Sequence, residues 1–189
     1  MSSEFQRALP EYRYHFLNPE EGFFGLGIYS KLPLENTSTR KLSDDYMLTQ
    51  FCTVVFDRRK ITLVNTHPIA PLDDYFYKVR NQQLINLGKF CKKAKAPLIV
   101  AGDLNSTSYS PYFKNLLKEG KLKDSQIGFG VQATWLTQTR LANMPLSNLL
   151  LGLPLDHILY KGNLSVTERQ ALAPVGSDHI PLFTELSFN

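Results

Sequence analysis

The chain has 189 residues, a length that predicts a single domain spanning 1–189. Hydrophobic residues make up 43% and charged residues 20% of it, a composition that excludes disordered and collagen-like proteins. A formal net charge of +4 weakly favours an anionic partner such as a phosphate ester or a nucleic acid, and it is equally ordinary for a soluble protein. No apolar run is long enough to cross a membrane, and the first residues lack a signal-peptide pattern. We therefore expect a cytoplasmic protein with no membrane span in these 189 residues; a longer form with an upstream anchor is the alternative.

Two cysteines, Cys52 and Cys91, lie far apart in the sequence and belong to no Cys-x-x-Cys or Cys/His pattern. This spacing favours neither a zinc site nor a disulfide framework. We expect both to be buried thiols in a reducing compartment.

Alternating or continuous apolar runs predict strands along most of the chain. A charged turn at 57–60 separates two of these runs, which predicts a β-hairpin. Another run has no polar face, which is typical of a fully buried strand. The predicted strands are 24–30, the hairpin pair 51–56 and 61–66, the buried strand 97–101, and then 155–160 and 181–186.

Two helices are predicted between these strands. The first is capped by Asp73 or Asp74 and continues to about Lys95, with apolar residues on one face and lysines near its end. A shorter one covers 111–119 and stops at Gly120. The segment 134–154 is predicted to be a long loop. Strands from hairpins mixed with helices favour an α/β or α+β sandwich with its helices outside.

Residues capable of catalysis follow several of the predicted strands, where ligand-binding loops gather in layered folds. Taken one at a time, each is equally compatible with an ordinary turn or strand end. Their concentration at strand ends is the stronger observation. They are His67, Asp103, Asn105, Asp156, Asp178 and His179.

Three short motifs resemble those of the endonuclease/exonuclease/phosphatase superfamily, whose fold is that of deoxyribonuclease I. They are Gly-Asp-Leu-Asn at 102–105, Leu-Asp-His-Ile-Leu at 155–159 and Ser-Asp-His-Ile-Pro at 177–181. Segments 25–34 and 65–67 look like two further family strands, so the resemblance extends from about Phe24 to Leu186. It implies a four-layer αββα sandwich of two mixed β-sheets with outer helices. The implied activity is Mg²⁺-dependent hydrolysis of a phosphodiester or phosphomonoester in a nucleic acid, a phospholipid or an inositol phosphate.

The resemblance also implies a role for each motif residue that could act in catalysis or bind the metal. His179 is the expected general base, and Asp156 is expected to orient its imidazole and stabilise the imidazolium. Asp178 is the expected metal ligand. Asp103 is expected to position or deprotonate water, or to serve the metal. These residue types suit the chemistry, because a carboxylate-held histidine acts as a base near neutral pH and hard Mg²⁺ prefers oxygen ligands.

Substrate contacts are expected from four side chains. By resemblance, Asn105 donates a hydrogen bond to a phosphoryl oxygen, and His67 binds the same phosphate or assists the leaving group. Trp135 and Tyr109 follow motif strands and are candidates to stack on a base or a sugar. Packing of their loops onto the sandwich is an equally good interpretation. Mg²⁺ is the expected cofactor, with Mn²⁺ as the alternative.

One departure from the family pattern concerns the residues before Phe24. The family begins with a strand ending in Asn and a second ending in Gln-Glu, whose Glu is the main metal ligand, and neither is recognisable here. Glu4 is the earliest candidate, followed by Glu11, Glu20 and Glu21. We therefore expect an N-terminally shortened member that binds Mg²⁺ poorly, hydrolyses little and self-associates across an exposed sheet edge.

Two alternative functions remain at this level. The chain is a phosphoesterase, or it is a catalytically silent family domain used as an interaction or structural module. A Ser/His/Asp hydrolase is disfavoured, because the sequence has no Gly-x-Ser-x-Gly elbow although Ser177 adjoins Asp178 and His179.

Overall fold

The computed structural model describes residues 9–20, 24–44, 47–135 and 152–189. These ranges contain ten strands and two helices. No helix among them is long and apolar enough to span a bilayer. In chain order the elements are β1 (Tyr14–Asn18), β2 (Leu26–Ser30), β3 (Leu34–Lys41), β4 (Leu48–Phe56), β5 (Arg59–Thr66), α1 (Asp74–Lys93), β6 (Leu98–Asp103), α2 (Pro111–Gly120), β7 (Lys123–Asp124), β8 (Asp156–Lys161), β9 (Leu164–Ala171) and β10 (Leu182–Phe188).

Six strands form the main sheet, in the order β3-β4-β5-β6-β8-β7. Only β5 and β6 pair in parallel; the other neighbours are antiparallel, so the sheet is mixed. The predicted hairpin is confirmed as β4 and β5. Its turn residues Asp57 and Arg58 have positive φ angles of 47° and 60°, as a tight two-residue hairpin turn requires.

One face of the main sheet packs against both helices. Phe51, Val64, Val100 and Leu159 are direct neighbours in register across β4, β5, β6 and β8, and they form one apolar row. This row belongs to the same buried core as residues of α1 and α2, namely Leu84, Leu87, Cys91, Phe113 and Leu116. Burial of this continuous apolar surface holds the helix layer to the sheet.

The opposite face of the main sheet carries a second β layer. Gln50 and Asn65 are the residues next to that apolar row, so their side chains point away from the helices. Gln50 Nε2 donates to the carbonyl of Phe16 at 3.1 Å and to Asn18 Oδ1 at 2.8 Å. Asn65 Nδ2 donates to the carbonyl of Gly27 at 3.4 Å. The two-stranded sheet β1-β2 is therefore fastened by amide side chains.

A second two-stranded sheet, β10-β9, contacts the main sheet through β8. The helix layer, the main sheet and these two ribbons together confirm the predicted α/β sandwich. The two described helices contact each other and supply one of its outer layers.

The predicted strands all form, with ends displaced by three residues at most. Four of the described strands lie outside the predicted set, namely β1, β3, β7 and β9. The sequences of β3 and β9 are dominated by Glu, Asn, Ser, Thr, Arg and Gln. Such polar strands lack the apolar alternation by which a strand is recognised in a sequence. Residues 136–151, most of the predicted loop, lie outside the described ranges.

Both helices form where the sequence predicts them. Asp73 caps α1 by accepting a hydrogen bond from the Phe76 backbone N–H at 2.8 Å, and Lys92 and Lys93 occupy its last turn. The helix ends at Lys93, because the next residue, Ala94, is extended. α2 begins at a proline, and it stops at Gly120 as predicted.

The two cysteines are buried and unpaired, as predicted. Burial raises the pKa of the Cys52 thiol to about 11 and that of Cys91 to about 12. Both are therefore neutral thiols at physiological pH and behave as small apolar side chains.

Candidate active site

The strand ends of the main sheet bring the motif residues together. Asp103 is the last residue of β6 and Asp156 is the first of β8, and the two are directly opposite in register. Since β5 runs parallel to β6, its end leads His67 to the same edge. An isolated bridge joins His179 to Trp135. One edge of the sheet thus receives residues from four separate chain segments.

Gly102 permits the close approach of β5 and β6 at this edge. Its φ is 145°, and a Cβ atom at this position would lie 1.9 Å from the carbonyl oxygen of Thr66. Only glycine combines this backbone conformation with the absence of a side chain. The glycine therefore decides how near Asp103 comes to His67.

Asp156 and His179 form a hydrogen-bonded pair, with 2.8 Å between Asp156 Oδ2 and His179 Nδ1. A carboxylate can only accept, so Nδ1 is the donor and the neutral ring keeps Nε2 free of a proton. Burial lowers the pKa of His179, but the hydrogen bond and the charge of Asp156 outweigh it, and the pKa is raised. The arrangement is that of a base held in one tautomer by a carboxylate.

Asp103 lies between two imidazoles. Its Oδ2 is 3.5 Å from His67 Nε2 and 3.7 Å from His179 Nε2. Burial raises the pKa of Asp103 to about 6, although the hydrogen bond from the Asn105 backbone N–H, at 2.7 Å, opposes the rise. Burial, followed by the nearby His179, lowers the pKa of His67. Three titratable groups with displaced pKa values thus share one edge, which is typical of a catalytic site.

Asn105 ties together the segments that follow β5 and β6. Its φ is 46°, a left-handed conformation that asparagine tolerates. Asn105 Nδ2 donates to the carbonyl of Pro68 at 2.9 Å, and the guanidinium of Arg80 donates to the carbonyl of Asn105. The predicted phosphate contact of Asn105 therefore belongs to a side chain that also fixes the loop after β5.

Asp178 lies beside Trp135, one of the two aromatic residues predicted to contact the substrate. Trp135 Nε1 donates to Asp178 Oδ2 at 3.4 Å, and Ser177 Oγ is 3.3 Å from Asp178 Oδ1. Ser177 Oγ also accepts from the His179 backbone N–H at 3.1 Å. Tyr109, the other predicted aromatic contact, lies two residues before α2 with 65% of its surface exposed.

Two residues of this region were missed in the sequence analysis. Arg80 is buried in α1 and bonded to the loop of Asn105, and Thr134 is fully buried beside Trp135. A positive charge within a mostly apolar helix face was the available signal for Arg80. The available signal for Thr134 was its place in the pair Thr134-Trp135, directly before the predicted loop.

The acidic residues near the strand ends do not form a complete metal site among the described residues. In the part of the chain that the structure describes, no group of three or more His, Cys, Asp or Glu side chains is arranged to hold a metal ion. Asp103 and Asp178 are oxygen donors of the kind Mg²⁺ accepts, but they do not complete a site by themselves. Of the glutamates considered, Glu11 lies 3.7 Å from Lys31 Nζ, and Glu4 and Glu21 lie outside the described residues.

Comparison with curated proteins finds relatives in Vibrio. A UPF0294 protein of Vibrio parahaemolyticus is 29% identical over 138 residues, which are 68% of this chain and 41% of that protein. A UPF0294 protein of Vibrio campbellii is 30% identical over 136 residues, or 68% of this chain and 40% of that protein. The chain thus spans about 40% of the length of these relatives.

Solved structures share the fold. The 3′ phosphatase NExo from Neisseria, bound to a product DNA hairpin, matches with a TM-score of 0.75 at 20% identity over 93% of this chain and 79% of that one. TDP2 from D. rerio, complexed with a single-stranded DNA product, matches with a TM-score of 0.76 at 17% identity over 98% and 81%. The human Nocturnin catalytic domain matches with a TM-score of 0.70 at 20% identity over 98% and 76%.

A family model matches nearly the whole chain. The model described as the endonuclease/exonuclease/phosphatase family matches residues 2–179, nearly the whole chain and all of the edge described above. The shared fold of the solved neighbours agrees with this match. The chain therefore belongs to the endonuclease/exonuclease/phosphatase family.

Proposed function

We propose that this chain is the catalytic part of a phosphoesterase that hydrolyses a phosphodiester or phosphomonoester. The observation that carries the proposal is the 2.8 Å hydrogen bond between His179 Nδ1 and Asp156 Oδ2, which orients a free Nε2 toward the edge shared with Asp103. Family membership supports it, as does the likeness in fold to a 3′ phosphatase.

The proposed reaction is an attack of water on phosphorus. His179 Nε2 takes a proton from the water as the new P–O bond forms, and Asp156 stabilises the imidazolium that results. The P–O bond to the leaving group breaks, and the leaving oxygen gains a proton from solvent while the proton on His179 returns to solvent. His67 assists by donating a hydrogen bond to the leaving oxygen or to the phosphate. Burial keeps His67 neutral near pH 7, so it contributes an N–H donor rather than a full charge.

Asp103 is the second candidate for the proton acceptor. With a pKa of about 6 it is mostly ionised at neutral pH, and it is a stronger base than an ordinary aspartate. In the first alternative it positions the water for His179, and in the second it removes the proton itself. Comparison of variants at the two positions separates these roles.

The substrate class proposed for the first tests is nucleic acid. The net charge of +4 favours a polyanion, and two of the solved neighbours are bound to product DNA. Asn105 and His67 are the proposed phosphate contacts, and Trp135 and Tyr109 are the proposed stacking partners. The exposure of Tyr109 leaves its ring accessible to a ligand.

We separately propose that the site binds a divalent cation, with Mg²⁺ as the expected ion and Mn²⁺ as the alternative. When bound, such an ion would neutralise charge on the phosphoryl oxygens. Asp178 and Asp103 are the proposed oxygen donors. Because the described residues do not complete a metal site, none of the steps above depends on the ion.

The incomplete donor set favours a second candidate function. A family domain whose described residues hold no three-ligand metal group is a candidate for a catalytically silent interaction module. Such a domain would keep the fold and the Asp156–His179 contact without turnover. The two functions differ in whether any phosphate ester is hydrolysed.

Hydrolysis assays on the purified chain test the proposed function. The substrates are a 3′-phosphorylated DNA oligonucleotide, a bis-aryl phosphodiester and an aryl phosphomonoester, each with EDTA, Mg²⁺ or Mn²⁺. We expect slow hydrolysis that Mg²⁺ or Mn²⁺ accelerates and EDTA reduces. Absence of hydrolysis of every substrate with every metal would instead support the silent module.

Two substitutions then test the base. His179→Ala should lower kcat by about 10²–10⁴-fold, and Asp156→Asn should lower it by a comparable factor with the fold intact. His15→Ala is the matched control, because His15 lies exposed on β1, outside the cluster at the strand ends. Activity of His179→Ala within tenfold of the parent would rule out His179 as the base.

A further inference from the structure

Thr134 is a fully buried residue whose polar atoms connect the chain segments carrying Asp156 and His179. Its Oγ1 accepts two backbone hydrogen bonds at the start of β8, from Leu155 N–H at 3.2 Å and from Asp156 N–H at 3.1 Å. Its carbonyl accepts from Ile180 N–H, immediately after His179, at 2.6 Å. One residue thus bonds both segments.

The surrounding backbone gives this connection a rigid base. Thr134 N–H and Trp135 N–H both donate to the Leu153 carbonyl, at 3.1 and 3.0 Å, and Leu153 N–H donates back to the Trp135 carbonyl at 2.9 Å. Trp135 also bridges to His179. The position of Thr134 is therefore determined independently of the two side chains that it connects.

The Thr134 hydroxyl accepts hydrogen bonds from backbone N–H groups that have no partner within the described part of the sheet. Asp156 pairs with Asp103 on one side of β8, and the Leu155 carbonyl accepts from Leu104 N–H at 2.9 Å. On the other side, β7 reaches only Leu159 and Tyr160. Thr134 Oγ1 takes the place of a strand partner for the first residues of β8, and so it determines the direction in which Asp156 leaves the sheet.

We propose that Thr134 is a positioning residue, which holds Asp156 and His179 at hydrogen-bond distance through its hydroxyl and its carbonyl. Its described hydrogen bonds go to the backbone N–H groups of Asp156 and Ile180 rather than to the two side chains, and it acts on the side chains through that backbone. The consequence for catalysis rests on the proposed function. The consequence for the Asp156–His179 hydrogen bond does not.

The test compares Thr134→Val, which removes the hydroxyl at constant shape, with Thr134→Ser, which keeps it. The readout is the NMR signal of the His179 Nδ1 proton, together with ring nitrogen shifts that report the tautomer, at one fixed pH. Thr49→Val is the matched control. Thr49 is equally buried, and its hydroxyl bonds Thr66 Oγ1 at 2.8 Å within the sheet, away from Asp156.

We expect Thr134→Val to lose the Nδ1 proton signal and to mix the two tautomers, whereas Thr134→Ser and Thr49→Val keep the parent spectrum. A purely structural threonine would lower the melting temperature in Thr134→Val and leave the His179 signal in place, and that result would overturn the proposal. If Thr134→Val does not fold, Thr134→Ser decides the matter, because loss of the signal with the hydroxyl present would also overturn it.

Kinetics provide the second readout if the chain hydrolyses phosphate esters. Misplacement of the base should lower kcat by about 10–100-fold in Thr134→Val with KM nearly unchanged, and Thr134→Ser should restore most of the rate. A rise in KM with kcat unchanged would contradict positioning. A parent chain without hydrolysis defeats the proposed function alone, because the NMR comparison still decides the role of Thr134.

Discussion

Asp103 has a carboxylate that the fold places where its charge is unfavourable. Its side chain is only 13% exposed, and burial raises its pKa to about 6. The fold compensates in part through the Asn105 N–H, which donates to Oδ1, and through the neighbouring imidazole of His179. A raised pKa means that ionisation of Asp103 destabilises the native state. Displaced pKa values of this kind are common in catalytic sites.

At the residue scale, we predict that Asp103→Asn stabilises the protein at neutral pH and removes its activity. The folded pKa lies above the unfolded value near 4, so native stability from this group falls as the pH rises from about 4 through about 6. Asparagine does not titrate, and its amide oxygen can still accept from Asn105. We expect a gain of about 1–3 kcal/mol at pH 7.5 relative to the parent.

Urea unfolding of the parent and of Asp103→Asn at pH 4 and pH 7.5 measures this difference. The gain should be present at pH 7.5 and absent at pH 4, where the parent carboxyl is protonated in the folded state. Asp44→Asn is the control, since Asp44 is exposed. A stability difference that does not change between the two pH values would show that ionisation of Asp103 is not its cause.

At the scale of elements, the parallel pairing of β5 and β6 organises the site edge. Val64 and Asn65 pair with Val100 and Ala101 in register, so the segments after both strands emerge side by side. Gly102 lies where the two backbones come closest, against the Thr66 carbonyl. Asn105 and Arg80 then fasten the following loops, which places His67 and Asp103 by backbone contacts rather than by side-chain preference.

The element-scale prediction compares two glycines with positive φ. Gly102→Ala places a Cβ 1.9 Å from the Thr66 carbonyl oxygen, whereas Gly128→Ala, with φ of 94°, meets no atom within 4 Å. Gly128→Ala should cost about 1–3 kcal/mol from backbone strain alone. Gly102→Ala should cost more than about 4 kcal/mol, or prevent folding, because the two strands must separate.

Soluble yield and urea midpoints of the two variants measure these costs. The two substitutions are the same chemical change on a left-handed backbone, so their difference isolates the close approach of β5 and β6. Equal destabilisation of both would mean that the strand ends are free to move apart.

At the scale of the whole molecule, the two faces of the main sheet are covered unequally. The helix face carries a continuous apolar core, and the other face carries the two-stranded sheet β1-β2. The two-stranded sheet β10-β9 contacts the main sheet through β8. Among the described residues, neither ribbon has a third strand paired to it. Unpaired strand edges are templates for pairing with another chain.

The whole-molecule prediction is therefore that this 189-residue chain self-associates. Sedimentation equilibrium from micromolar to millimolar concentration should give a mass that rises with concentration. Phe183→Lys places a charge at a partly exposed apolar position of β10, and it should weaken the association. A single species of monomer mass over the whole range would contradict the prediction.

Local patterns were sufficient to predict much of the fold. The hairpin of β4 and β5, the buried strand β6 and both helices each depend on residues close in the sequence, such as the Asp73 cap and the charged turn at Asp57. Strands β3 and β9 were missed because polar strands have no local signature. Leu84, Leu87 and Cys91 confirm the apolar face predicted for α1, but Arg80, Asn81 and Gln83 are buried on the helix as well, which periodicity did not predict.

The sequence by itself determined which residue types stand at the strand ends, and through the motifs around Asp103, Asp156 and His179 it identified the family. Only the tertiary structure decided their distances and partners. The Asp156–His179 bond joins positions 23 apart, and the Arg80 contact with Asn105 joins positions 25 apart. Thr134 acquires its role from amides 21 and 22 residues away. Contacts between residues distant in sequence arise when the whole sandwich closes, and local propensity carries no signal for them.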